Sequence, residues 1–412
     1  MAEIFDVLII GGGASGLFLA AKLPRELSVA IIESEARVGK KLLATGNGKC
    51  NLTNVEIGEG AYEKHYNDPE KVKPIIDYFY AERTVCEFTE MGLMLRHVDG
   101  RVYPYSECAS SVLDVLRRAV DDRGTHVFTS HCAERVEKKD GVFTVSGTRK
   151  SGDNKKGDEG EAFRLTAKNV VLATGSPATF GRDGTNLYTA LGHTARKMVP
   201  SLVPIKTERE PIKGLQGVRV KAGVSLGDKS EIGEIIFKDF GVSGIAVFNL
   251  SAEIARGRAH VGDVLSIDFM PDYKQYEVEG YLHHRDCDMT VGELLVGSFH
   301  TRVQERIIDM AGLKPSEKAS GKYDVLARAI KHFNLKIEGL GDKSLAQVMS
   351  GGLNLNEFDE NLASQKVAGA YAIGEALDID GDCGGYNLQW AWSSAHAVAR
   401  AISESYGIYR IH

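Results

Sequence analysis

Residues Ile4–Glu33 read IFDVLIIGGGASGLFLAAKLPRELSVAIIE, and the fold turns on this stretch. Phe5–Ile10 is short, almost wholly apolar and rich in Ile, Val and Leu, the composition of a strand buried on both faces. Gly11, Gly13 and Gly16 follow in G-x-G-x-x-G spacing, and Ala14–Leu23 has the composition of a helix. Gly11 serves a tight turn, Gly13 lets a pyrophosphate approach the backbone, and Gly16 lets helix and strand pack closely. The pyrophosphate then rests on the amides of the helix N-terminus, where the dipole favours negative charge. A second apolar run, Val29–Ile32, ends in Glu33, about 20 residues past the glycines, where a carboxylate accepts from ribose hydroxyls. The same carboxylate would repel a 2′-phosphate. Glycines alone could form a turn that binds nothing; with both strands, the helix and the acid in place, the stretch predicts a dinucleotide site.

The segment after Glu33, SEARVGKKLLATGNGKCNLTN, is polar and broken by glycine. It leaves the strand that carries Glu33, so it is expected beside the same ligand. Gly46 and Gly48 free backbone amides to face an acceptor, while Lys40, Lys41 and Lys49 can balance phosphate charge. Candidate contacts in this region are Ala14, Ser15, Ser34, Lys40, Lys41, Thr45, Gly46, Gly48, Lys49, Cys50 and Asn51.

These features, with GKKLLATGNGKCNLTN at Gly39–Asn54, resemble a bacterial FAD-binding family, that of the aminoacetone oxidases or bile-acid-inducible N-type flavoproteins. Further matching motifs are GRVYPYSECASSV at Gly100–Val112, VVLATGS at Val170–Ser176 and SLVPIK at Ser201–Lys206. GEIIFKDFGVSGIAVFNLS at Gly233–Ser251 and AGAYAIGEALDIDGDCGGYNLQWAWSSAHAVA at Ala368–Ala399 extend the resemblance over essentially the whole chain. Lys49 stands where the family often has arginine, which keeps the charge but loses a planar fork. Ala395-His396 replaces a common glycine-led pair.

The resemblance implies noncovalent FAD, with NAD(P)H as a possible transient donor, since the chain holds one dinucleotide fingerprint. It implies that Glu375 or Asp378 pairs with the ribityl hydroxyls, with Gly374 a further candidate contact. It also implies that the amides of Gly385, Tyr386, Asn387 and Leu388, at a helix start, lie at the flavin pyrimidine edge. Ala173, Thr174 and Gly175, where the chain returns before leaving for another domain, are candidate contacts too, as is Val136. The activity favoured is an NAD(P)H-dependent reductase of an activated C=C bond in an unsaturated 3-oxo steroid or bile acid; the alternatives are a peroxide-forming amine oxidase of aminoacetone-like substrates, as the other family name implies, and an RNA-modification flavoprotein, since tRNA-modifying flavoproteins share similar FAD motifs.

The rest of the chain reads as helix at Asp68–Ala81, a hairpin across Asp99-Gly100, and a serine-capped helix at Ser110–Asp122. Strands are expected at His126–Thr129, Glu134–Lys138, Val142–Ser146 and Val170–Ala173, with a solvated loop at Thr148–Glu161. Met198–Asp268 is β-rich, and Tyr273–Phe333 turns to helical spacing. Ala370–Ile373 reads as a returning strand, followed by a helix through Ala399. The predicted class is therefore α/β, a Rossmann-like doubly wound FAD-binding domain (1–196 and 345–412). Within it sit an inserted β-rich domain (197–271 and 334–344) and a small helical subdomain (272–333). Substrate is expected over the flavin, between the FAD and inserted domains.

Composition bounds the remainder. With 412 residues, 43% hydrophobic and 26% charged, the chain has globular composition. A formal net charge of −6 opposes a general affinity for nucleic acid or anionic membrane. No apolar run reaches membrane-spanning length and Met1–Ile10 lacks a signal-peptide pattern, so a cytoplasmic protein with a small-molecule substrate is expected. The six cysteines are scattered, which predicts free thiols; Cys50 has no second cysteine nearby for flavin–disulfide chemistry, and only Cys383 could approach it through the fold. The aspartates 378, 380 and 382 lack the final glutamate of a calcium loop, and no H-x-x-x-H occurs, so no metal is expected. Trp390 and Trp392 read as packing residues. Tyr103, Tyr386, Lys49 and Asn51 are the polar groups expected near substrate, and no residue emerges as a general acid or base. The sequence leaves oligomeric state open.

Overall fold

A computed structural model describes residues 4–57, 64–150, 160–179 and 181–409. They form two compact units, Met1–Val199 with Val348–His412, and Pro200–Gln347.

The first unit is built on the fingerprint. Strand β1 (Ile4–Ile10), helix α1 (Ala14–Lys22) and strand β2 (Val29–Ile32) form a parallel β–α–β unit, with Val7 opposite Val29 and Ile10 opposite Ile32. β2 is buried along its whole length and β1 from Val7 onward, which is why both read as continuous apolar runs. Four further strands follow in sequence: β3 (His126–Phe128), β4 (His131–Lys139), β5 (Val142–Arg149) and β6 (Glu161–Leu172). The order across the sheet is β3-β2-β1-β6-β5-β4, and β7 (Ala370–Ala372) lies against β6. β6 serves two partners on that side. Its first part runs antiparallel to β5, from Glu161 to Ala167, and its last residues run parallel to β7, from Val170 to Leu172. The C-terminal ends of β1, β2, β6 and β7 therefore open on one edge, where doubly wound sheets take their ligands. The long helix α2 (Tyr386–Ser405) packs on α1.

Two local expectations change. The helix expected at Asp68–Ala81 runs Pro69–Tyr78, with Asp68 capping it through Lys71 N, and a second helix, Ala81–Glu90, follows after a break. The break falls at Phe79, whose carbonyl accepts from Gln389 Nε2 (2.8 Å) and the Ser393 hydroxyl (2.6 Å) in place of a helical amide. The next helix begins at Ala109 with Cys108 as N-cap and no side-chain capping bond; the Ser110 hydroxyl meets Cys108 Sγ (3.1 Å) instead. The loop expected at Thr148–Glu161 lies largely at 151–159, outside the described residues, although Arg149 and Glu161 pair on either side of it. The hairpin of Leu95–Val98 and Arg101–Pro104 turns at Asp99-Gly100 with φ of 49° and 75°, the two positive angles of a type I′ turn.

The second unit is a closed six-stranded barrel. Its order is Ile205–Thr207, Gly241–Ser243, Lys229–Phe237, Arg219–Leu226, Val264–Asp268 and Phe333–Leu340, the last pairing with the first. Closure leaves this sheet without an open edge. Helices Gln275–Arg285, Thr301–Met310 and Tyr323–Lys331 share one core with the barrel, Leu282, Ile307 and Ile330 lying with Ile235, Leu265 and Leu335.

In the first unit Arg123 holds the β–α–β turn. It is buried, and its guanidinium donates to the carbonyls of Leu23 (2.7 Å), Leu27 (2.9 Å) and Pro24. Burial pulls its pKa down to about 10, so it remains charged at neutral pH. Arg123→Met leaves those carbonyls without their donor and should destabilise the protein by about 2–4 kcal/mol. Chemical denaturation followed by circular dichroism measures this; an unchanged midpoint would refute it.

Candidate cofactor site

The three fingerprint glycines differ in what surrounds them. Gly11 has φ 117°, and a Cβ there would stand 2.3 Å from the Ala173 carbonyl oxygen. A Cβ on Gly16 would stand 2.0 Å from the Gly11 oxygen. Both absences are required by the polypeptide itself. Around Gly13 nothing lies within 4 Å of the Cβ position, and its φ is an ordinary −86°. The chain does not need a glycine there, whereas a group coming up to the start of α1 would. Glu33 stands beside it, its Oε2 accepting from Gly12 N (2.9 Å) and its Oε1 from Glu35 N (2.8 Å) and the Ser34 hydroxyl (3.3 Å). Since an ionised carboxylate offers about four acceptor positions, capacity for a further donor remains.

In the following loop Gly46, Asn47, Gly48 and Cys50 all have positive φ, between 55° and 85°. Short backbone bonds fix the bend, Cys50 N to Thr45 O at 3.0 Å and Lys49 N to Gly46 O at 3.1 Å, and the Thr45 hydroxyl donates to Leu42 O. Cys50 is fully buried, and burial pushes its thiol up to about 12, so it stays protonated and unreactive. Asn51 Oδ1 and Thr174 Oγ1 are buried without a hydrogen-bond partner among the described residues. An unmet buried polar atom costs about 1–3 kcal/mol, so two on adjoining segments of one sheet edge fit a ligand that bonds them. Dinucleotide chemistry suits this donor and acceptor set.

The lysines of this loop do not stand ready for phosphate. Lys41 Nζ is 2.6 Å from Glu375 Oε2 and 2.9 Å from Ser176 Oγ, while Ser176 also donates to Glu375 (2.8 Å). Lys40 pairs with Glu35 (2.8 Å) and Lys49 with Glu107 (2.6 Å). Each ammonium has a carboxylate at contact. The Lys41–Ser176–Glu375 group ties together the chain segments that follow β2, β6 and β7.

Further along, Gly374 has φ 62°, and a Cβ there would stand 2.9 Å from Ser15 Oγ. Its N–H bonds Ser394 Oγ (3.0 Å) and its carbonyl accepts from Trp390 Nε1 (3.1 Å). Trp392 Nε1 donates to Leu52 O (2.9 Å). Both tryptophans are buried, so they pack and also pin two site segments to α2. Gly385, with φ 103°, fits the start of α2 against Thr53, whose carbonyl carbon would lie 2.6 Å from a Cβ. The amides of Tyr386, Asn387 and Leu388 form the first turn, which has no acceptor within the helix.

Several candidates serve the protein instead. Both oxygens of Asp378 are engaged by Arg196, at 2.7 and 2.8 Å, and Oδ1 also accepts from Gly351 N, so the carboxylate anchors the paired strands Ala195–Ser201 and Val348–Leu353. Asn387 brackets Gly381, accepting from its N–H (2.8 Å) and donating to its carbonyl (2.7 Å). Val136 is buried in mid-β4 opposite Val145. Asp380 bonds Ser350, and no set of metal-ligating side chains occurs among the described residues. A cavity of about 400 Å³ lined by Asp68, Lys71, Arg196, Asn354 and Asp378 is open and polar, and shares only Asp378 with the predicted contacts.

Two constellations escaped the sequence because their members are far apart in the chain. His65 meets Asp382 across 317 residues. Ser364, His193 and Glu357 stand in the order of a hydrolase triad, at 2.8 and 3.0 Å. Ser364 Oγ, however, accepts from Lys366 N and Val367 N, and His193 lies stacked on Phe358, so this group is a buried strut. Burial pulls the His193 pKa down, keeping the ring neutral.

Comparison with known proteins agrees with this architecture. The family model described as HI0933-like protein Rossmann domain matches residues 5–401. A 3-dehydro-bile acid delta(4,6)-reductase of Clostridium scindens is 34% identical over 417 aligned residues, covering 96% of this chain and 98% of that one. Ribosomal RNA dihydrouridine synthases of Haemophilus influenzae and Escherichia coli are 27% and 26% identical, covering 98% and 97% of this chain and 100% and 98% of theirs. No described helix is long and apolar enough to cross a membrane. With its glycine cradle, its acid after β2 and a family match over nearly its whole length, the chain belongs to the HI0933-like Rossmann family.

Proposed function

We propose that this FAD-dependent oxidoreductase is an NAD(P)H-dependent reductase of a C=C bond conjugated to a carbonyl, in a hydrophobic substrate of the unsaturated 3-oxo steroid or bile-acid class. What supports the reaction type is a property common to its relatives. The bile-acid reductase is named for reducing ring double bonds, and dihydrouridine is uridine with the C=C bond next to its carbonyl saturated. Both chemistries add hydrogen across an activated alkene, which an amine oxidase does not. The higher identity of the bile-acid reductase, and a net charge of −6, favour a small molecule over RNA.

FAD, held noncovalently, supplies the hydride chemistry. The chain's residues bind and shield it. The start of α1 and the open face of Gly13 receive the pyrophosphate, and Glu33 accepts from the adenosine ribose. Asn51 and Thr174 gain the partners they lack, and the first turn of α2 favours negative charge on the flavin ring. Glu375, oriented by Lys41 and Ser176, is the carboxylate left to meet the ribityl hydroxyls.

The cradle makes a differential prediction. Gly13→Val should fold like the wild type yet lose its yellow colour, because its side chain enters only space the cofactor needs. Gly16→Val should lower thermal stability even without cofactor, because it meets the Gly11 carbonyl. Glu33→Ala should weaken FAD binding by about 1.5–3 kcal/mol, the scale of a hydrogen bond to a charged group. Absorbance and thermal melts read all three; a yellow Gly13→Val protein, or release of FMN on denaturation, would refute the cradle.

The reaction is tested by mixing the enzyme anaerobically with NADH or NADPH, then admitting a 4,6-unsaturated 3-oxo steroid, oxygen or folded ribosomal RNA. The expected result is rapid flavin bleaching by a nicotinamide and faster reoxidation by the enone than by oxygen. Bleaching by a primary amine with stoichiometric peroxide would establish the oxidase instead. Reoxidation by RNA alone, weakened by salt, would establish the RNA reading.

A further inference from the structure

Residues 65–67 run beside 380–382. Tyr66 bridges Gly381, Asp382 N donates to His65 O (2.8 Å), and Asn67 N donates to Asp380 O (3.1 Å). This pairing lays the His65 ring on the Tyr386 ring, with centroids 4.3 Å apart and planes inclined by 24°. It also sets His65 Nδ1 3.2 Å from Asp382 Oδ2. The Asp382 side chain is 1% exposed and that of His65 30%. A buried carboxylate thus holds the ring by Nδ1, and Nε2 makes no hydrogen bond among the described residues. A carboxylate-oriented imidazole with its other nitrogen open is the arrangement of an acid–base group.

Its position gives that group a task. Tyr386 is the first residue of α2, at the helix start that the flavin ring is proposed to meet. Reducing a conjugated alkene takes a hydride at the β-carbon and a proton at the α-carbon, and a hydride donor supplies only the first. We propose that His65 is the proton donor of the alkene reduction and that Asp382 is its positioning residue, an inference that rests on the reductase reading. As the hydride forms the β C–H bond, the π electrons move toward the carbonyl. The α-carbon then takes the proton of the imidazolium Nε2–H, whose bonding pair stays on nitrogen. The neutral ring regains a proton from water, so the balance is one hydride, which carries both electrons, from NAD(P)H and one proton from solvent. Among the described residues, the ionisable groups in contact with the ring are the Asp382 carboxylate and the Tyr386 phenol.

The test uses the FAD-loaded protein and the two half-reactions separately. In His65→Asn the amide can still donate to Asp382, but no acid remains. Bleaching by NAD(P)H and reoxidation by oxygen should stay near wild type, while reoxidation by the enone should slow by about 10²–10⁴-fold, the usual worth of a positioned acid. In the wild type that step should slow in D2O, because the proton delivered to the α-carbon comes from solvent. Asp382→Asn should slow the same step while bleaching by NAD(P)H is kept, because the ring is no longer held by Nδ1. Enone reoxidation at the wild-type rate in His65→Asn would overturn the assignment. If that variant loses FAD, a wild-type enone step that runs equally fast in H2O and D2O would overturn it. A wild-type enzyme that the enone cannot reoxidise fells the reductase reading, and this inference with it. An enone-active wild type with an unaffected His65→Asn variant removes only the proton donor.

Discussion

The close passage of backbone over backbone at Gly11 constrains the rest of the first unit. The turn after β1 lies so near the end of β6 that a single Cβ would enter the Ala173 carbonyl, and the start of α1 lies as near to Gly11. With those contacts made, α1 is brought down on the sheet and its first amides face the edge where β1, β2, β6 and β7 end. Glu33 is then bound to Gly12, and every later segment of the site is placed against this frame. The inequivalence of the glycines follows from it: two are required by the polypeptide itself, and around the third nothing lies within 4 Å of a Cβ.

Much of this was legible in the sequence, since it depends on neighbours. The apolar runs of β1 and β2, the glycine spacing and the acid after β2 lie within thirty residues. Asp99-Gly100 encodes its own turn, because both positions must accept positive φ. What escaped depends on meetings across the chain. Nothing local to Asp378 says that Arg196 will occupy both its oxygens, and nothing local to Lys41 says that Glu375 lies within reach. The loop lysines read as phosphate ligands because a sequence shows charge without showing the counter-charge. The break at Phe79 was hidden for the same reason, being made by Gln389 and Ser393 from α2.

The histidines show how similar geometry can carry opposite uses. His193 and His65 each meet a carboxylate through Nδ1. Around His193 both ring nitrogens are bonded, the serine beyond accepts two backbone amides, and an aromatic ring covers one face. Every lone pair and proton has a destination within the protein, which makes for rigidity and leaves no proton to exchange with a substrate. Around His65 one nitrogen makes no hydrogen bond among the described residues. The distinction lies in the count of unfilled valences, which distances to the carboxylate alone do not reveal.

The division of β6 between β5 and β7 bears on how the protein is made. A ribosome releases β1 to β6 first, then the whole barrel, and only afterwards β7 and α2. Until those last residues emerge, the sheet edge beside Val170–Leu172 has no parallel neighbour, the face of α1 that meets α2 lies bare, and Trp390 and Trp392 are not there to hold Gly374 and Leu52. The barrel, by contrast, owns its core and is complete once Leu340 is out. The order of closure therefore reverses the order of synthesis: the unit whose first strand is translated first is the last to close.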